Sequence, residues 1–488
     1  MTTMPKFKSL FLVPVLALLA ACGGGGGGGN STPSTPSGAT LTSIVITPAN
    51  FTMALGQTQT LTATGSYSDG KTAAITSGIT WTLKGSSVAE AFSNGSVRGK
   101  AVGSETVTAT VGTVTASTNF NVKLPYSGLV AGGNQTLVRK ADGNLQGWGA
   151  NNWGQLGDGS QIDRNTPGLV KNNTGLPWRM VVTGEFHTLA IRENGTLWAW
   201  GFNQNGQLGT GNTKDAMEPV QIGTATDWVF IAAGKSHSLA INKGNVLYGW
   251  GRNSNGQLGD GTVVDRLVPT KIGALFWRMV AAGATHTVGI RADATGTGTG
   301  AGSTGGTNYG SLYAWGGNAS GQVGNGGTVD VLVPTQVGTL KWINVAAGAS
   351  HTLAMRSDAT LWGWGGNGNG QLGNGSSANA SAPVQIGTDN DWATIAAGNN
   401  HSLAVRTNNT LWTWGANSEN QLGDGTVNDY GAPQQVSSAT TWTAVAAGAQ
   451  HSLALRNDGS VWAWGTNKQG QLGNGNNLNL SAPTQILP

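Results

Sequence analysis

The chain has 488 residues, more than one ordinary core holds, so two or more domains are expected. Glycine supplies 79 of them, charged residues only 10%, and the formal net charge is +4. From Tyr126 onward 19 Lys and Arg face 19 Asp and Glu, which excludes an overall basic bias for nucleic acid over the larger part of the chain.

Residues 1–21 read as an export leader. Lys6 and Lys8 precede a short apolar run from Leu10 to Ala21, which fits a secretory segment and is short for a membrane span. The run ends in Leu19-Ala20-Ala21-Cys22, and Cys22 is the single cysteine, so no intramolecular disulfide exists. This ending resembles the bacterial lipoprotein lipobox. The resemblance implies cleavage before Cys22, acylation of its thiol and a place in the cell envelope. Gly23 after the cysteine, where Asp would argue otherwise, implies the outer membrane. Residues 22–40, with seven glycines from Gly23 to Gly29 followed by Ser, Thr and Pro, read as a flexible tether.

Residues 41–123 read as a small all-β module. LTSIVITP alternates and stops at Pro48, QTLTATGSYSDG runs into an Asp69-Gly70 turn, and TVTATVGTVTASTNFNV makes two strands around Gly112. Some eighty residues of short strands suit a β-sandwich. The order of these landmarks, with Trp81 and NGSVRGKAVGSETVTAT, resembles the bacterial immunoglobulin-like domain, group 2. Trp81 is expected in its core. Such modules act as spacers or adhesive units, and the residues do not separate the two.

Residues 126–488 carry seven copies of one pattern, anchored at Trp148, Trp200, Trp250, Trp315, Trp364, Trp414 and Trp464. Their spacings of 52, 50, 65, 49, 50 and 50 mark a repeat architecture. Each copy has three parts: WxxVAAGxxHSLAIR, then WGxNxxGQLGxG, then a variable loop ending in APxQI. Short apolar runs bounded by turn residues predict four strands per repeat. Seven such sheets around an axis make a β-propeller, so the chain is expected to be all-β, a seven-bladed propeller preceded by a sandwich. The small Ala-Ala-Gly run suits the axis, the tryptophans suit packing between blades, and the loop glycines suit positive φ. The segment opens on the first repeat part and closes on the last. Its termini should meet, with strands from both ends sharing a blade. The fourth repeat holds a Gly- and Thr-rich insertion near Ala292–Tyr309. These motifs resemble the regulator of chromosome condensation family, which implies the seven-bladed ring.

Chemistry-bearing candidates are few. Six histidines (His187, His237, His286, His351, His401, His451) occupy one repeat position, and Gln135 takes the seventh. A metal needs several nitrogens within about 2.1 Å of one ion. Equivalent positions are spread around a ring, so a hydrogen bond inside each blade is the expected role. Gly234-Lys235-Ser236 lacks the earlier glycine and following helix of a phosphate loop. Asp163, Asp215, Asp265, Asp330, Asn379, Asp429 and Asn479 recur as expected turn caps. No catalytic constellation, metal site or cofactor is expected.

The candidate binding residues are those that break the repeat: Trp153, Arg164, Phe202, Arg266 and Tyr430. Aromatics with arginines suit a protein-binding surface, or fold back onto their own blade. The leading functional expectation is an exported, lipid-anchored binding protein whose rigid propeller meets a protein or a cell-surface polymer; nucleic acid is not expected. Two alternatives come from the resemblance: guanine-nucleotide exchange on a small GTPase, and inhibition of an exported enzyme such as a β-lactamase by loop docking.

Overall fold

The computed structural model describes residues 38–172, 175–292 and 309–488. The leader, Cys22 and most of the tether lie outside the described residues, as does most of the insertion in the fourth repeat. Every regular element among the described residues is a strand.

The first module packs three small sheets around one core. Strands Leu41–Thr47, Thr62–Tyr67 and Thr72–Ile75 form one sheet. Phe51–Ala54, Val114–Lys123, Gly103–Val111 and Thr80–Leu83 form the second, with a parallel first pair that stacks Phe51 on Phe120 at 5.0 Å. Alternation sorts the faces: Ile44 and Ile46 are buried, while Val45 between them is 57% exposed. Trp81 is half-buried and packs against this core.

The second module is seven antiparallel blades. Blade I runs Tyr126–Ala131, Gln135–Lys140, Leu145–Gly149 and Arg164–Leu169 in order from the inner strand outward. Blade VII runs Trp442–Ala447, His451–Arg456, Val461–Gly465 and Leu480–Leu487 in the same order. Both terminal blades are thus built from consecutive chain, and no blade is shared between the ends. The expectation of a shared blade fails because the sequence repeat and the blade are in phase. The chain enters on an inner strand and leaves on an outer one.

The fourth strand is the part read as the end of a variable loop. Pro383, Pro433 and Pro483 sit in it, and a proline without an N–H is tolerated because this is the blade's outer edge. Two outer strands do more. Arg266–Ala282 and Val331–Ala347 each run 17 residues, closing one blade and opening the next. They join blades III, IV and V into one ten-stranded sheet.

The axis is lined by the Ala-Gly runs of the inner strands around an opening of about 220 Å³. Each of these glycines faces a carbonyl of the next blade. A Cβ on Gly398 would overlap the His401 ring and lie 2.6 Å from Gly448 O. The ring can be this tight only with no side chain there.

Candidate functional site

The recurring polar residues build the frame between blades. In WGxNxxGQLG the asparagine is fully buried. Asn203, for example, donates to Asn212 O and Lys214 O at 2.9 Å and accepts from Leu208 N at 2.8 Å. The Asp/Asn caps close this loop: Asp215 Oδ1 accepts Asn203 N–H at 2.8 Å, and Asn479 does the same for Asn467. The loop's first glycine takes positive φ, +77° at Gly206. In the sixth copy Asn420 replaces that glycine and holds the same region at 62°, which asparagine tolerates.

The glutamine carbonyl then ties one blade to the next. Gln371 O accepts Trp414 Nε1–H at 2.9 Å and Ser402 Oγ–H at 2.8 Å. The same pair of bonds joins Gln155 O to Trp200 and Thr188, and Gln471 O to Trp148 and Thr136.

The histidines complete this frame across blades, not within them. His351 Nε2 meets Ser402 Oγ at 3.1 Å, and His401 Nε2 meets Ser452 Oγ at 3.0 Å. The expected intrablade bond is therefore corrected: the ring lies in the space that the side-chain-free glycine three residues earlier leaves open, and its Nε2 reaches the hydroxyl of the neighbouring blade. Since each hydroxyl already donates to a carbonyl, it must accept from Nε2–H, which assigns the neutral Nε2–H tautomer. Burial, with no counter-charge, pushes the histidines down to about 3, or about 4 for His286. Gln135, in the histidine position of blade I, instead donates to Gly184 O at 3.0 Å. No cluster of three or more His, Cys, Asp or Glu suited to a metal occurs among the described residues.

Strand alternation sends the first–second and third–fourth strand loops to one face of the ring, and that face holds the repeat-breaking residues. Trp153 is 38% exposed and Phe202 half-buried, and their rings meet at 4.8 Å. Phe186 joins them at 6.3 Å from Phe202. The three form an aromatic patch across blades I and II. Phe186 was missed in the sequence, although it breaks the repeat too, where the other blades carry Asn134, Ser236, Thr285, Ser350, Asn400 and Gln450.

The remaining candidates are not brought to this patch. Arg164 donates to Asp158 Oδ2 at 2.8 Å, and Arg266 to Asp260 Oδ2 at 2.8 Å, each on its own blade. Tyr430 is half-buried at the start of blade VI's outer strand. The same face also carries exposed apolar loop tips that the sequence did not single out, among them Ile162 at 72% and Val329 at 80%. At the axial mouth Lys235 Nζ pairs with Glu185 at 3.0 Å.

The opposite rim is organised by arginine. The second strands of blades II, IV, V, VI and VII end on Arg192, Arg291, Arg356, Arg406 and Arg456. Arg192 lies 3.7 Å over Trp178 and 4.6 Å over Trp198, and Arg456 lies 4.5 Å over Trp442 and 3.7 Å over Trp462. These are cation–π cages. Burial lowers the Arg192 guanidinium to about 10, which leaves it charged at neutral pH.

Comparison with known proteins agrees with this geometry. The model of the regulator of chromosome condensation (RCC1) repeat matches residues 142–191, 194–241, 245–290, 309–355, 358–405, 408–455 and 458–488, more than half of the chain. The bacterial Ig-like domain (group 2) model matches residues 40–122. The Ultraviolet-B receptor UVR8 of Arabidopsis thaliana is 32% identical over 231 residues, which cover 46% of this chain and 38% of the receptor. The chain thus spans well under two thirds of that relative's length. The crystal structure of Prp20p from Saccharomyces cerevisiae aligns with a TM-score of 0.62 at 24% identity, over 71% of this chain and 86% of that one. Human WBSCR16 aligns at 0.61 and 21% identity, over 71% of this chain and 94% of that one. With seven matched repeats folded as seven blades, the chain belongs to the RCC1 repeat family and carries a bacterial Ig-like group 2 domain ahead of its propeller.

Proposed function

We propose that this chain is an exported binding protein, anchored by lipid at Cys22, whose propeller presents the face bearing Trp153, Phe186 and Phe202 to a protein ligand. The observation that carries the reading is that aromatic patch. It rests on residues that the repeat frame does not require, since five other blades close without them. A partly exposed aromatic cluster on the same face as apolar loop tips such as Ile162 has the composition of a protein-contact surface. The crystal structure of Prp20p is described together with its binding properties to Gsp1p and histones, so a ring of this fold takes protein ligands in that protein. Export and anchoring rest on the leader, Cys22 and the Gly-rich tether, with the Ig-like module as a spacer.

Two measurements test the reading. Intact mass of the mature protein from a didermal bacterial host should begin at an acylated Cys22, and Cys22→Ser should release the protein from membranes. Crosslinking in envelope extracts should capture a protein with the wild-type chain and lose it with Trp153→Ala/Phe202→Ala. An unmodified Cys22 overturns the anchor, and unchanged capture by the double variant overturns the face.

A further inference from the structure

Blade III departs from the arginine rim. Its second strand ends on Asn242 in place of arginine, while the aromatic frame is kept. Trp228 and Tyr248 stand edge to face at 5.1 Å and 81°, against 6.1 Å and 78° for Trp392 and Trp412 in blade VI. Blade VI shows what this frame holds when it is filled. Arg406 lies 4.6 Å over Trp392 and 4.2 Å over Trp412, and pairs with Asp389 and with Asp391 Oδ1, the latter at 3.6 Å from Nε. Asp391 directly precedes Trp392, as Asp227 directly precedes Trp228. Blade III therefore keeps two rings and a carboxylate and lacks the cation.

Asn242 does not substitute for it. Its Nδ2 donates to Asp227 Oδ2 at 3.1 Å, and its Oδ1 accepts the N–H groups of Gly244 and Val246 at 3.0 Å. A groove of about 800 Å³ remains, lined by Asp227, Trp228, Asn242 and Tyr248 at one end and by Val220 and Val268 further out, between the outer strands of blades II and III. That volume exceeds a guanidinium, and both valines are exposed.

We infer that this groove binds an arginine side chain presented by a partner polypeptide. The guanidinium seats on Trp228 and Tyr248 beside Asp227, as Arg406 does on its own blade. The flat cation is favoured because it stacks on rings and pairs with a carboxylate at once, which a compact ammonium does less well. A polypeptide is favoured over the free amino acid because the groove continues past the cage along exposed apolar strands. The cage lies on the rim opposite Trp153, the groove runs from it toward Gly209, Thr210 and Asn212 of blade II, and neither includes a residue of the aromatic patch.

The test is calorimetric titration of the full chain with acetyl-Gly-Gly-Arg-Gly-Gly-amide, next to its lysine and citrulline counterparts and free arginine. The arginine peptide should bind, with the citrulline peptide weaker by roughly tenfold or more, the lysine peptide also weaker, and free arginine weaker than the peptide. Asn242→Arg, which supplies the guanidinium from within the chain, should abolish binding without lowering the melting temperature. Asp227→Asn should weaken binding, and Trp153→Ala should leave it unchanged. No binding at millimolar arginine peptide overturns the inference, as does equal binding of the citrulline or lysine peptide. Full binding by a folded Asn242→Arg variant, or by Asp227→Asn, overturns the site. Free arginine binding as tightly as the peptide overturns the polypeptide partner. Loss of binding in Trp153→Ala moves the ligand to the other face.

Discussion

His451 and Thr136 are 315 positions apart in sequence and 3.0 Å apart in space. Their bond joins blade VII to blade I with the geometry that His237 and Thr287 use between blades III and IV, also at 3.0 Å. The closing joint is thus held by the same side-chain frame as five of the six joints inside the chain, the exception being blades I and II, where Gln135 bonds Gly184 O instead.

Thr136→Val should therefore destabilise the protein by about 1–3 kcal/mol, the cost of leaving a buried donor unpaired. Thr287→Val and Thr352→Val should cost a similar amount, measured by urea unfolding. A Thr136→Val variant as stable as wild type would show that the closing joint does not depend on this bond.

The histidines set a pH window. Their folded values are depressed to about 3–4, below the ordinary 6.5. As pH falls below 6.5 the unfolded chain binds protons that the folded chain refuses, so stability declines from there down to the folded values. Each buried histidine adds up to about 1.4 kcal/mol per pH unit to that slope. Urea midpoints compared between pH 7 and 5 should fall steeply, ahead of carboxylate titration. His401→Gln, which mimics Gln135, should flatten the slope by one histidine's share, and an unchanged slope would count against buried neutral rings.

The axial glycines tolerate no side chain. Gly398→Ala places a methyl against both the His401 ring and Gly448 O, and should cost about 1–3 kcal/mol or more. Asn420→Gly, at a φ of 62° that glycine also adopts, should shift stability by about 1 kcal/mol or less. Thermal melts of the two variants side by side make the comparison.

On the aromatic face, folding and binding should separate. Trp153→Ala should cost about 1–4 kcal/mol of partner affinity with little loss of stability. Trp364→Ala, fully buried between blades, should cost about 3–5 kcal/mol of folding. If Trp153→Ala melts the protein and leaves affinity untouched, its ring is packing.

Much of the fold was legible because the repeat is written in residues with only one good use. Paired tryptophans, Ala-Ala-Gly and NxxGQLG recur in phase, and each marks a strand or a turn. The outer strand was harder to read, since proline and polar residues at a blade edge look like loop. The direction of the histidines was not legible at all. Spacing gives a residue's place in its blade but not which neighbour its ring faces. Arg164 and Arg266 folding back had a signal that was passed over: each follows an aspartate by six positions, Asp158 and Asp260. The vacant cage of blade III is visible in sequence only once the arginine rim is known, as Asn242 in an arginine column.

The two 17-residue strands place the continuous sheet of blades III to V directly across the ring from the joint between VII and I. The covalent chain runs through every joint but that one, so a ring with a continuous back is left with one chain break, as in a split clip. Under the proposed anchoring at Cys22, load entering through the N-terminal segment would reach blade I at that joint, so strain would spread the gap before it bends the back. The propeller should open as a clasp does, at one known seam, with the other six joints still closed.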